Sequence, residues 1–197
     1  MMDFTLEDAI SKRRSHRAFD DRPLTLLLLN KLMWAAQGIT DMSGKRTISS
    51  AHALHPLRLF VAAGRITALP AGVYRANDDT TSLAPHLNRD VRGDLKGAAL
   101  DDQPWIARAP ALVIVCADMV AATEAFADQP PYGTRGRRYA YIEAGAAAQT
   151  IQLQAGAEGL ASVLVAGFRD EATAEILNLP ANCEPLVHMC IGWPSSD

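Results

Sequence analysis

The stretch from residue 13 to residue 17 reads Arg13-Arg14-Ser15-His16-Arg17. It follows a short amphipathic segment, Thr5 to Ser11, and precedes the apolar Phe19, so it lies where a first helix ends. Three guanidinium groups around one hydroxyl can bind a phosphate, because arginine offers planar, charged, bidentate donors and serine adds a short neutral one. The alternative is that the basic residues only favour the dipole at a helix C-terminus, by about 0.3–1 kcal/mol each. The pentapeptide alone leaves both interpretations open.

Three further blocks of sequence bear on that choice. They are the loop Ser49-Ser50-Ala51-His52-Ala53-Leu54-His55-Pro56-Leu57, the run Glu158-Gly159-Leu160-Ala161-Ser162-Val163-Leu164-Val165-Ala166-Gly167-Phe168, and the ending Ile191-Gly192-Trp193-Pro194. Together with the stretch 13–17, these blocks resemble the nitroreductase-type flavoproteins and follow the order that this family has. They span almost the whole chain.

The sequences of two segments are similar to those of one branch of that superfamily. These segments are Ala53-Leu54-His55-Pro56 and Arg137-Arg138-Tyr139…Glu143-Ala144-Gly145. The branch contains the dehydrogenases that oxidise azoline rings in peptides. We treat it as a relative of this chain and not as its function.

The resemblance implies a fold and an assembly. The fold would be α+β, a nitroreductase-like three-layer fold in which a central, mixed but mainly antiparallel sheet is flanked by helices. Residues 1–197 would form a single FMN-binding domain, and two copies would form a domain-entwined homodimer.

The resemblance also implies an enzyme, an FMN-dependent oxidoreductase. NADH or NADPH would be the electron donor, and a small electrophilic acceptor such as a nitroaromatic, quinone or enone would be reduced by ping-pong hydride transfer through flavin N5. One alternative is an FMN-dependent dehydrogenase that oxidises an azoline-type or other ring. Another is a flavin-binding protein without turnover.

Three groups of residues would bind FMN if the resemblance holds. The stretch 13–17 would contact the phosphate, the ribityl chain and the pyrimidine edge, and the loop would approach the flavin ring from the partner subunit. The segment around residue 165 would line the other face of the ring. The implied cofactor-binding residues are Arg13, Arg14, Ser15, Arg17, Ser50, Ala51, His52, Ala53, Leu164, Val165, Ala166 and Gly167.

Several of these positions depart from the family pattern. Many relatives carry an acidic residue where Ala166 stands, and Asn is frequent where Ala53 stands. His52 either covers the flavin or points to solvent. No catalytic side chain is assigned, because the flavin itself performs the hydride transfer. Periodicity alone would make the run 160–168 an ordinary core strand.

Composition bounds the function independently. The chain has 197 residues, 49% of them apolar and 21% charged, which is typical of a soluble globular protein. A formal net charge of −3 leaves no electrostatic footprint for nucleic acid. No apolar stretch reaches the roughly 18 residues of a membrane helix, and the acidic start lacks the apolar core of a secretory signal. Composition therefore gives no sign of a nucleic-acid or membrane partner. The resemblance implies a small-molecule substrate, and the cysteine pattern favours the reducing cytoplasm.

Cysteine and histidine patterns indicate no metal site. Cys116, Cys183 and Cys190 are odd in number and lie in or beside apolar runs, which favours buried, reduced thiols. No histidine pair has the spacing of ligands on one helix face.

Local patterns predict most of the secondary structure. Thr5 and Asp8 form an acidic variant of the capping box, so a helix is expected from there to about Arg13. Further helices are predicted at 25–37, about 137–156 and 171–177, and strands at 57–63, 73–76, 111–117, 160–166 and 186–191. The segment 80–105 is the least readable, and in the family it would supply loops and short helices over the flavin.

Overall fold

The computed structural model describes residues 4–80 and 82–195. The helices are α1 (Leu6–Lys12), α2 (Leu26–Gln37), α3 (Arg92–Ala98), α4 (Trp105–Arg108), α5 (Met119–Ala125), α6 (Arg135–Ala157) and α7 (Asp170–Leu177). The strands are β1 (Leu24–Thr25), β2 (Leu57–Ala63), β3 (Ile66–Thr67), β4 (Gly72–Ala76), β5 (Leu83–Leu87), β6 (Ala111–Asp118), β7 (Ala161–Val165) and β8 (Cys183–Gly192).

A six-stranded sheet forms the centre, with the strand order β5-β4-β2-β6-β8-β7. Neighbouring strands pair antiparallel throughout this sheet. Within the described residues, the parallel component is the short pairing of β1 with β3 outside it. The predicted α+β fold with a mainly antiparallel sheet is therefore confirmed.

Helices cover both faces of the sheet, because its central strands are continuous apolar runs that must be buried on each side. On one face, alternate residues of β2, β6 and β8 pack against α2 and α6. On the other face, the alternate set packs against α3, α4 and α7, through Leu95, Ile106 and Leu177. The predicted three layers are confirmed.

The ends of two helices follow the predicted signals. The Asp8 N–H donates to Thr5 Oγ1, and the Thr5 N–H donates back to Asp8 Oδ2, each at 3.1 Å. This is the predicted capping box, and α1 then ends at Lys12. The Thr25 hydroxyl accepts the Leu28 N–H at 3.2 Å and caps α2.

Helix α6 lies against α2, α5 and the sheet, and most of the side chains it buries are small. They include Ala140, Ala144, Ala147, Ala148 and Ala155, with Ile151 among them. Small side chains allow close approach of neighbouring elements, so the sequence predicts that this helix is central to the core or to a subunit contact. The structure places it in the core, and the subunit contact stays a prediction.

The segment 80–105 contains more regular structure than its sequence suggests. It holds β5 and α3 and reaches the first residue of α4. Strand β5 escaped prediction because it lies at the sheet edge, is largely accessible to solvent and contains Pro85, so it lacks the apolar alternation of a buried strand. Helix α5 was also missed, although Asp118 caps it by accepting the Ala121 N–H.

Candidate active site

The arginine stretch lies along the free edge of the sheet. Strand β7 is the last strand in the sheet order, and its Ser162 carbonyl accepts the His16 N–H at 2.9 Å. Three residues further along the chain, Phe19 forms a bridge with Pro194. Three of the four sequence blocks are thus neighbours in space: the stretch 13–17, β7 and the ending 191–194.

The stretch carries a local excess of positive charge. Arg13 is half-buried, whereas Arg14 and Arg17 are exposed. Arg14 donates to the carbonyls of Ser11 and Arg13, at 2.9 and 2.8 Å, and the Arg17 guanidinium lies 5.3 Å from the centre of the Trp105 ring. Within 4–80 and 82–195, no carboxylate forms an ion pair with any of the three arginines. Such unneutralised guanidinium groups are suited to an anionic ligand.

The end of β7 presents apolar surface next to these charges. The side chains alternate, so that Leu164 and Ala166 are exposed while Val165 between them is buried. The chain then turns beneath the segment that precedes α4: the Gly167 carbonyl accepts the Leu100 N–H at 3.0 Å and the Gln103 side-chain amide at 3.4 Å. These two contacts were not predicted from the sequence, because residues 97–105 carry no motif.

The loop 49–55 has an unusual backbone. His52, Ala53 and His55 have φ angles of 51°, 54° and 50°, in the left-handed region that residues other than glycine rarely adopt. Such conformations cost on the order of 1–3 kcal/mol each and are concentrated at functional sites. The loop borders a cleft of about 460 Å³. The His52 ring is exposed in the single chain and meets Phe126 edge-on at 5.3 Å.

Two hydrogen bonds hold this loop in place. The Ala51 N–H donates to Glu143 Oε1 of α6 at 2.9 Å, and the His55 N–H donates to Ser50 Oγ at 2.8 Å. Burial raises the pKa of the Glu143 carboxyl, and its hydrogen bonds with Ala51 and Ser50 oppose that rise. Glu143 lies in a segment whose sequence resembles one branch of the family, but no sequence pattern indicates its contact with the loop.

The structure brings together only some of the predicted site residues. Arg13, Arg14, Ser15 and Arg17 lie beside the strand that carries Leu164 and Val165 and leads to Ala166 and Gly167. Within the described part of the chain, no hydrogen bond, ion pair or ring contact joins the loop 49–55 to either group.

None of the described helices is both long enough and apolar enough to span a membrane.

Comparison with known proteins identifies the family. The sequence model described as the Nitroreductase family matches residues 10–193. A protein of Methanocaldococcus jannaschii, provisionally named a nitroreductase, is 37% identical over 187 residues, which are 95% of this chain and 90% of that protein.

Solved structures support the same assignment. A crystal structure from Ralstonia eutropha, also provisionally named a nitroreductase, has a TM-score of 0.81 at 26% identity, over 98% of this chain and 84% of that one. A chain of the Escherichia coli microcin synthetase complex has a TM-score of 0.74 at 22% identity, over 95% of this chain and 73% of that one, and shares the fold. The family match covers nearly the whole chain, including the arginine stretch, β7 and the strained loop. The chain therefore belongs to the nitroreductase family of oxidoreductases.

Proposed function

We propose that this protein is an FMN-dependent oxidoreductase that uses NADH or NADPH to reduce a small electrophilic acceptor, such as a nitroaromatic, a quinone or an enone. The observation that carries the proposal is the cluster of unneutralised guanidinium groups at the edge of β7, immediately beside an exposed apolar surface. A flavin mononucleotide has the matching pair of features, a phosphate at one end and an apolar ring at the other.

The residues present fit that cofactor. Arg13 and Arg17 would hold the phosphate with charge-assisted hydrogen bonds, and Ser15 would add a neutral donor. Leu164 and Ala166 would contact the ring, and their small or apolar side chains would keep water from it. When bound, FMN supplies the hydride-transfer chemistry itself, so the protein has to bind, orient and shield it. We assign no protein acid or base.

We further propose that the single domain 1–197 acts as a homodimer and that the loop 49–55 contacts the cofactor bound to the partner. Large apolar side chains remain exposed in the single chain, and a contiguous set of them is a common mark of an interface. Phe4, Leu6 and Trp34 line one groove, and Tyr141 and Ile142 line another. The three cysteines are unpaired and buried, which supports the reducing cytoplasm as the compartment.

The visible spectrum of the purified protein, followed by anaerobic addition of NADH or NADPH, tests this function. Flavin absorbance that bleaches within seconds is the expected result. A yellow protein that does not bleach would support the flavin cofactor but contradict the reductase activity. Bleaching by an azoline-containing peptide instead would identify a dehydrogenase. A yellow protein inert to both would be a flavin-binding protein without turnover.

The Arg17→Ala variant is expected to bind FMN about tenfold more weakly or worse, because it loses a charge-assisted contact with the phosphate. The affinity is measured by fluorescence titration of the apoprotein. Arg75→Ala is the matched control, since Arg75 is also exposed but lies on β4, which three strands of the sheet separate from β7. Equal FMN affinity of the Arg17→Ala variant and wild type would contradict the phosphate assignment.

A further inference from the structure

The Glu143 side chain occupies an improbable place for a carboxylate. It lies on the buried face of α6, is only 5% exposed, and has the small residues Ala140, Ala144 and Ala147 as neighbours along that face. No cation forms an ion pair with it among the residues that the structure describes. Burying a carboxylate without a cation is costly unless hydrogen bonds compensate, so its partners indicate what it does.

All of the observed partners of the carboxylate belong to the loop 49–55. The Ala51 N–H donates to it at 2.9 Å, and the nearby Ser50 hydroxyl lowers the pKa of the carboxyl. Ser50 in turn accepts the His55 N–H at 2.8 Å. The carboxylate thus connects a rigid central helix to both ends of the segment 51–55, which contains the three residues with positive φ.

Strain of this kind persists only where the surroundings impose it. No glycine is present in the loop to make the left-handed conformations easy, and His52 and Ala53 are exposed and have little packing to hold them. Two backbone bonds, from the Ala53 N–H to the Ser50 carbonyl and from the Leu54 N–H to the Ala51 carbonyl, lie within the loop itself. The bond from the Ala51 N–H to Glu143 is the one that ties the loop to α6 among the described residues.

We propose that Glu143 is a positioning residue that holds the loop 49–55 in its strained conformation, so that the loop is already shaped for the cofactor of the partner subunit. The second part rests on the proposed function. The first part concerns the protein without cofactor and can be tested independently of it.

Hydrogen exchange of the apoprotein tests the restraint directly. In Glu143→Leu, the amides of Ala51 and His55 should exchange about tenfold faster or more, because Ala51 loses its acceptor and the Ser50 hydroxyl, which accepts the His55 N–H, loses the neighbouring carboxylate that orders it. Glu143→Gln keeps an acceptor oxygen and should retain most of the protection. Gln152→Leu is the matched control, since Gln152 is another buried polar residue of α6, and it should leave both amides unchanged.

The FMN affinity of the same variants tests the functional part. Glu143→Leu should bind FMN about tenfold more weakly or worse, with near wild-type binding in Glu143→Gln and Gln152→Leu. Unchanged exchange at Ala51 and His55 in a folded Glu143→Leu protein would overturn the positioning role. Faster exchange with unchanged FMN affinity would restrict that role to the apoprotein and overturn its link with the cofactor.

Two results would change how the proposal is tested: a Glu143→Leu variant that does not fold, and a wild type that binds no FMN. If Glu143→Leu does not fold, Ser50→Ala replaces it: this variant should release the His55 amide but leave the Ala51 amide bonded to Glu143, and protection of both would overturn the proposal. If wild type binds no FMN, the proposed function fails, while the exchange measurements still decide whether Glu143 restrains the loop.

Discussion

A Gly136→Ala variant is expected to unfold well below the temperature at which wild type unfolds. Gly136 lies in the first turn of α6, where a Cβ would be 1.9 Å from the Ala122 carbonyl oxygen and 2.5 Å from the Ala122 carbonyl carbon of α5. Because both are backbone atoms, the two helices must separate to admit a methyl group. Overpacking costs about 1–3 kcal/mol, and an approach of 1.9 Å to a backbone atom puts this case at about 3 kcal/mol, against a gain of about 1 kcal/mol in helix propensity. The expected net loss is about 2 kcal/mol, or roughly 4–8 °C in Tm.

Thermal unfolding followed by circular dichroism measures this loss. Gly156→Ala is the matched control, because Gly156 lies on the same helix and a Cβ there would meet no atom within 4 Å. That variant should match wild type or gain less than about 1 kcal/mol. If Gly136→Ala has the same Tm as wild type, the close contact between α5 and α6 does not exist as described.

Local chemistry explains why the helices and inner strands could be predicted from the sequence. The capping box at Thr5 is complete within four residues, and strand β2 has the predicted bounds 57–63 because its apolar run is buried on both faces. The long helix begins at Arg135, two residues before the prediction, since Arg135 and Gly136 offer no apolar signal of their own. Strand β8 begins at Cys183 and not at Leu186, because a bulge in its pairing with β6 accommodates Pro185.

The candidate site could be predicted only in part. The stretch 13–17 and the run 160–168 were identified by the similarity of their sequences to the family. The structure places them side by side through the hydrogen bond from the His16 N–H to the Ser162 carbonyl. The strained loop could not be predicted, because Ala and His carry no sign of a positive φ as glycine does. The contact between Ala51 and Glu143 joins residues 92 positions apart, which no local pattern encodes. The roles in FMN binding stay predictions until a flavin is observed.

His188 of β8 lies behind the candidate site, and its protonation on unfolding should lower the stability of the protein in acid. Its ring is wholly buried, neither ring nitrogen has a hydrogen-bond partner among residues 4–80 and 82–195, and it stacks on Phe168 with the centroids 4.2 Å apart and the planes 3° apart. Burial lowers the pKa of His188 to about 3, from 6.5 for an ordinary histidine. The native protein therefore keeps the ring neutral, while the unfolded chain takes up a proton as the pH falls below 6.5.

The sign of the effect follows from proton binding. Between the two pKa values the unfolded state binds more protons than the native state, so stability rises with pH and is lost on acidification. The loss is about 1.4 kcal/mol per pH unit, or about 2 kcal/mol at pH 5 from this one residue. His188→Leu has a similar volume and no proton to bind, so the slope due to this residue should disappear.

Urea unfolding at pH 7, 6 and 5 measures the difference. Wild type should lose about 2 kcal/mol more than His188→Leu between pH 7 and pH 5, because the other titrating groups are common to both proteins and cancel. Equal losses in wild type and His188→Leu would show that the ring is hydrated or hydrogen-bonded in the native state.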